Sequence, residues 1–228
     1  MKNISTTFVI VIASVIGIAF LFLLANTGKS EEKIVTLPIK VEEFSDFQCP
    51  ACGAYYTVLK SMREEFGSDV EFVYRHFPLT TTHEFAYGAA VASEAARNQG
   101  KFEEYHDKLF ENQEKLTKED LEKYALELGL DVEKFKADIE NPETKARVDA
   151  DIAEGDARSV SSTPTFFVNG EMVRLTSSSS ESPDQKLKRT IRELVDKAKA
   201  QAAVSVTPSA TVEETATTAT PTPSPTQP

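Results

Sequence analysis

The pattern that most limits the possible folds is a strand, a helix and a second strand between Ile39 and Phe77. "IKVEEFSDF" alternates, which puts Ile39, Val41, Glu43, Ser45 and Phe47 on one side of a strand. Pro50 then opens a helix, at a position where its missing N–H costs little. Tyr55, Leu59, Met62 and Phe66 recur at helical spacing, and Gly67 stops the run. "DVEFVYRHF" reads as the second strand, ended by Pro78. A unit of this length implies a parallel βαβ arrangement and hence an α/β fold.

The stretch from about 82 to 140 reads as helical. Phe102, Tyr105, His106, Leu109 and Phe110 form one apolar face, and Leu121, Tyr124, Ala125 and Leu128 another behind the N-cap residue Thr117. Asn141-Pro142 starts a further helix to about Arg158, with Val148 and Ile152 inward. "TPTFFVNGEMVRL" reads as two strands joined at Asn169-Gly170, a strong hairpin signal. A last amphipathic helix begins at Ser182-Pro183 and runs through Leu187, Ile191, Leu194 and Ala198.

Two flanking segments differ in kind. Residues 1–30 contain an uncharged, mostly apolar run from Phe8 to Ala25, which at helical rise approaches the roughly 30 Å of a bilayer core. An uncleaved transmembrane anchor fits this run better than a signal peptide, whose apolar region is usually about 7–15 residues. From 203 to 228 the chain is dominated by Thr, Ser and Pro with no apolar period, which predicts a disordered tail. The folded domain is therefore expected over 34–202. A formal net charge of −11 argues against a phosphate-binding surface, so nucleic acid is not an expected partner.

The chain has only two cysteines, Cys49 and Cys52, in "EFSDFQCPACGAYY". A structural zinc site needs about four ligands, and His76, His83 and His106 show no metal-ligand spacing that would complete one. Attachment of a c-type haem is excluded because Gly53 stands where that motif has histidine. A disulfide closing so short a loop would constrain the unfolded chain little. Redox chemistry fits better: Cys49 lies at a helix start, where unpaired N–H groups and the dipole favour its thiolate. Such stabilisation makes the disulfide form a better oxidant. Cys52, one turn deeper, would be more shielded. Glu43 reads two ways, as a desolvated acid under the helix start or as a carboxylate in water on an edge strand. Asp46 falls on the other side, as a loop or cap residue.

"EFSDFQCPACGAYY", "VYRHFPL" and "VSSTPTFFVNG" together resemble the DsbA-like branch of the thioredoxin superfamily, with its membrane-anchored, BdbD-like members nearest. The resemblance covers about Ile34 to Ala200 and implies a thioredoxin fold with an inserted helical domain. It makes Cys49 the nucleophilic cysteine, Cys52 its resolving partner and Glu43 the buried acid. Pro164 then matches the family's cis-proline facing the disulfide, and Thr163 offers backbone groups to a bound peptide. Read alone, Thr163-Pro164 would be an ordinary trans bond at the start of a strand.

The sequence departs from the family in two places. The dipeptide Pro50-Ala51 lacks the histidine of the best-known strong oxidant, and "RLTSSSSESP" replaces a glycine-containing turn. The expected activity is thiol–disulfide exchange outside the cytoplasm, introducing disulfides into exported proteins with free thiols. No metal or organic cofactor is expected. Reoxidation would fall to a membrane redox partner of the DsbB or vitamin-K-epoxide-reductase type. A reductase or isomerase of the same fold, or a non-catalytic peptide-binding module, is the alternative.

Overall fold

β1 (Ile39–Ser45) lies inside a four-stranded sheet of order β2-β1-β3-β4. It pairs in parallel with β2 (Val70–His76) from Ile39↔Val70 to Ser45↔His76, and antiparallel with β3 (Thr165–Val168). β4 (Glu171–Val173) follows β3 through a turn in which Asn169 and Gly170 both have positive φ, 49° and 83°. That geometry is what a two-residue hairpin turn requires. The computed structural model describes residues 34–175 and 181–205; the anchor expected in 1–30, the serines at 176–180 and the tail beyond 205 lie outside them. Among the described residues no helix is long and apolar enough to cross a membrane.

Helix α1 (Pro50–Phe66) joins β1 to β2, with a 3-10 turn over Gly67–Asp69. Its buried seam is Cys52, Tyr56, Leu59, Met62 and Phe66. The expected Tyr55 lies beside the seam, half-buried against Phe166 with ring centroids 5.0 Å apart. Between β2 and β3 come α2 (Ala86–Arg97), α3 (Phe102–Phe110), α4 (Lys118–Glu127), α5 (Val132–Glu140) and α6 (Pro142–Ala157). Thr117 caps α4 in a reciprocal capping box with Asp120. Alanines 89, 92, 95 and 96 let α2 pack closely on Tyr105, Leu109 and Phe135, and the same core continues to Phe47, Cys49 and Cys52. The helical insertion therefore shares its core with the cysteine pair.

The two faces of the sheet are covered differently. On one, α6 lies over Phe44, Phe77 and Phe167, so close that a Cβ at Gly155 would be 2.6 Å from the Phe77 ring. Glu42 on this face is buried but paired with Lys40, Arg75 and Arg158. α7 (Pro183–Ser205) buries Leu187, Ile191, Val195 and Ala198, with Val195 taking the inward place expected of Leu194. Lys188 and Arg192 of α7 pair with Glu65 of α1, tying these helices together. α7 runs to Ser205, into the first residues expected of the tail.

Candidate active site

Cys49 is the N-cap of α1, with extended backbone (φ −75°, ψ 120°) and Pro50 at the first helical position. Its N–H donates to the Asp46 carbonyl at 3.1 Å, so the chain turns sharply from β1 into the helix. Cys49 is 7% exposed, and its sulfur lies 3.5 Å from the Thr163 carbonyl oxygen, a contact in which only the protonated thiol can donate. Cys52 is fully buried, on the inward side of the first helical turn.

The two thiols are driven in opposite directions. A hydrogen bond from the Cys52 thiol is the main cause that lowers Cys49, against its burial. The Thr163 hydroxyl and the backbone N–H groups of Cys52 and Ala51 add to it, and Cys49 falls to about 5. Burial pushes Cys52 well above the ordinary thiol range, and the neighbouring Cys49 and Glu43 push the same way. At neutral pH Cys49 is thus a thiolate and Cys52 a thiol. That division of labour is what disulfide exchange needs from an attacking and a resolving cysteine.

Sheet order decides between the two readings of Glu43. Its strand is interior, between β2 and β3, with Tyr74 and Phe166 beside it in register. The carboxyl is 6% exposed and accepts a hydrogen bond from Ser45 Oγ at 2.9 Å. Burial raises its pKa to about 7, although Ser45 and the charge of Arg63 oppose this. A carboxyl of this kind can exchange a proton near neutrality, and its charge acts on the Cys52 thiol.

Thr163–Pro164 is a cis peptide bond. Pro164 lines a cavity of about 250 Å³ with Thr165, Met172, Val173 and Arg174. Apart from its action on the Cys49 sulfur, the buried Thr163 hydroxyl has no hydrogen-bond partner among the described residues. Cys49, Cys52, Glu43 and Thr163 are thus joined by direct contacts or electrostatic coupling at one end of the sheet. The three histidines are engaged elsewhere. His76 faces Glu94 at 3.0 Å, His83 faces Asp46 at 2.7 Å and His106 faces Asp107 at 3.2 Å. Among the described residues no three His, Cys, Asp or Glu side chains are grouped to hold a metal.

Asp46 does more than a loop residue in the sequence reading. Its buried carboxylate accepts from the backbone N–H groups of Gln48 and Leu79, both at 2.8 Å, and faces His83. It thereby fastens the cysteine-bearing corner to the loop after β2. Nothing local in the sequence shows that one carboxylate reaches a loop more than thirty residues away.

Comparison with known proteins agrees with this geometry. The sequence model of the thioredoxin family matches residues 37–183. The chain belongs to the thioredoxin family, and its fold is that of the DsbA-like members. A thioredoxin-like oxidoreductase from Silicibacter pomeroyi is 28% identical with a TM-score of 0.59, over 71% of this chain and 87% of that one. BdbD from Bacillus subtilis shares the fold at 23% identity and a TM-score of 0.60, over 74% and 91% of the two chains. DsbA from Xylella fastidiosa does so at 23% identity and 0.59, over 71% and 87%.

Among curated proteins, the sodium/proton antiporter NhaA 3 of Salinispora tropica is 42% identical over 133 residues, 58% of this chain and 20% of that protein. The antiporter NhaA 1 of Mycobacterium sp. strain KMS is 40% identical over 136 residues, 59% and 22% of the two. The chain spans about a fifth of the length of these relatives, so the transport in their names is not carried over to it.

Proposed function

We propose that the protein is an extracytoplasmic thiol–disulfide oxidoreductase that introduces disulfides into exported proteins through its Cys49-Pro50-Ala51-Cys52 motif. The asymmetry of the pair carries this reading: Cys49 is held as a thiolate and Cys52 as a thiol. Stabilising the Cys49 thiolate stabilises the reduced pair, so the oxidised pair is the better electron acceptor. This favours oxidase over reductase or isomerase, even though Ala51 replaces the histidine. Ala51 contributes its backbone N–H, and the Cys52 thiol supplies the largest share.

In the first step a substrate thiolate attacks the Cys49 sulfur of the disulfide. A mixed disulfide forms and Cys52 leaves as a thiolate, taking a proton from Glu43. A second substrate thiolate then attacks the substrate sulfur of that mixed disulfide, and Cys49 leaves as a stable thiolate. The substrate has lost two electrons and the enzyme pair has gained them. The backbone of Thr163 and the cavity beside Pro164 would hold the extended substrate segment. The apolar run Phe8–Ala25 would anchor the protein in the membrane with its catalytic domain on the extracytoplasmic side. There a membrane redox partner, DsbB-like or vitamin-K-epoxide-reductase-like, would remove the electrons.

Mixing oxidised protein with a reduced, unfolded peptide bearing two cysteines tests the reading. One peptide disulfide should form for each Cys49–Cys52 pair reduced, and Cys49→Ser should abolish the transfer. A peptide that stays reduced while the enzyme disulfide persists would refute oxidase activity.

A further inference from the structure

Gly53 follows Cys52 within the first turns of α1, where glycine costs a helix about 1 kcal/mol relative to alanine. The reason for it comes from the helical insertion. A Cβ at Gly53 would lie 2.0 Å from the side-chain oxygen of Gln113 and 2.7 Å from its Cδ. The Gln113 amide, from the turn between α3 and α4, therefore rests directly on the helix backbone. Its Nε2 donates to the Phe47 carbonyl at 2.8 Å and to the Cys49 carbonyl at 2.8 Å. Both partners are acceptors, so only the NH₂ end can face them, and both of its hydrogens are used. The Cys49 carbonyl also accepts the helical bond from Gly53 N–H at 3.1 Å.

We propose that Gln113 is a positioning residue for disulfide exchange: its amide clamps the carbonyls on either side of Gln48 and holds the Cys49 sulfur at the start of α1. The inference rests on the reading of Cys49 as the nucleophile. Two effects follow from the geometry. Carbonyl oxygens are the negative ends of peptide dipoles, and these two belong to the corner that carries the Cys49 sulfur, one of them to Cys49 itself. Amide hydrogens placed on both oxygens offset that field. The clamp also fixes the strand–helix corner, so the N–H groups of Ala51 and Cys52 keep their alignment on the sulfur. The insertion thus takes part in the redox centre, and Gly53 is glycine because a side chain there would expel the clamp.

Full-length Gln113→Ala, Gln113→Glu, Gly53→Ala and the Gln113→Ala/Gly53→Ala double variant are compared with wild type by alkylation of Cys49 against pH and by reduction potential. Gln113→Ala is expected to raise the alkylation midpoint by about one pH unit, a tenfold fall in the thiolate-to-thiol ratio at a given pH. The same tenfold change in the redox equilibrium is a potential about 30 mV lower. Gln113→Glu, which cannot donate and adds a charge, shifts both further. Gly53→Ala meets only the movable end of a side chain, so it folds and reproduces the Gln113→Ala shift. In the double variant it adds nothing, because its effect runs through Gln113.

An unchanged midpoint and potential in Gln113→Ala overturns the clamp, including when thermal stability falls. Full additivity of the two alanine substitutions does so too. A wild type whose Cys49 alkylates only at the pH of an ordinary thiol overturns the nucleophile reading itself, and the clamp with it.

Discussion

At Cys49 the largest contribution to the thiolate comes from a neighbouring thiol, followed by Thr163 and backbone N–H groups, with no nearby cationic side chain among the leading causes. Under the proposed function, Cys52 then tunes Cys49 as well as forming the disulfide with it. Cys52→Ala should raise the alkylation midpoint of Cys49 from about 5 toward the ordinary thiol value, by more than any change at Ala51 that keeps its N–H. It should also abolish oxidation of a two-cysteine peptide, because without Cys52 no internal disulfide can form to accept the two electrons.

Glu43 makes a separate prediction at this scale. Its folded pKa of about 7 exceeds the ordinary 4.5, so the fold favours its protonated form. The associated stability is complete below pH 4.5 and is lost as pH rises through about 7, at most on the order of 3 kcal/mol. Cys49 runs the opposite way, since its lowered pKa adds stability to the reduced protein as pH rises from about 5 toward 9. The comparison that isolates Glu43 is therefore Glu43→Gln against wild type, both reduced, by urea unfolding. The advantage of the variant should grow from pH 4.5 to pH 8; a constant difference would mean that folding does not raise the pKa of the carboxyl.

The elements differ in how tightly they are specified. α6 meets the sheet at Gly155, where an added methyl would press on the rings of Phe77 and Phe44. Gly155→Ala should cost about 1–3 kcal/mol by overpacking, although alanine is the better helix former. A lowered urea midpoint with unchanged slope checks this. Elements set by local rules were legible in the sequence. Pro50 and Gly67 bracket α1, Thr117 caps α4 and Asn169-Gly170 makes the β3–β4 turn. The inward seams were read one residue off in two helices, at Tyr55 for Tyr56 and Leu194 for Val195, because two apolar neighbours fit the period equally. What could not be read is non-local. The environment of Glu43 depends on β3, and the roles of Asp46 and Gln113 depend on contacts with distant loops. Gly53 was the one local sign of Gln113, and its meaning required the partner.

Across the whole molecule, the parallel βαβ unit supplies the cysteine pair and Glu43, the loop leading into β3 supplies Thr163–Pro164, and the insertion shares the core that covers both cysteines. Three segments distant in sequence thus meet at the cysteine pair, the redox centre of the proposed function, where the electrostatics favour a reduced pair with Cys49 ionised. The equilibrium reduction potential of the Cys49–Cys52 couple, measured on the full chain against glutathione, tests that most directly. An oxidising centre should lie well above the roughly −270 mV of thioredoxin and toward the roughly −120 mV of DsbA. A potential at or below that of thioredoxin would contradict it and make the protein a reductase.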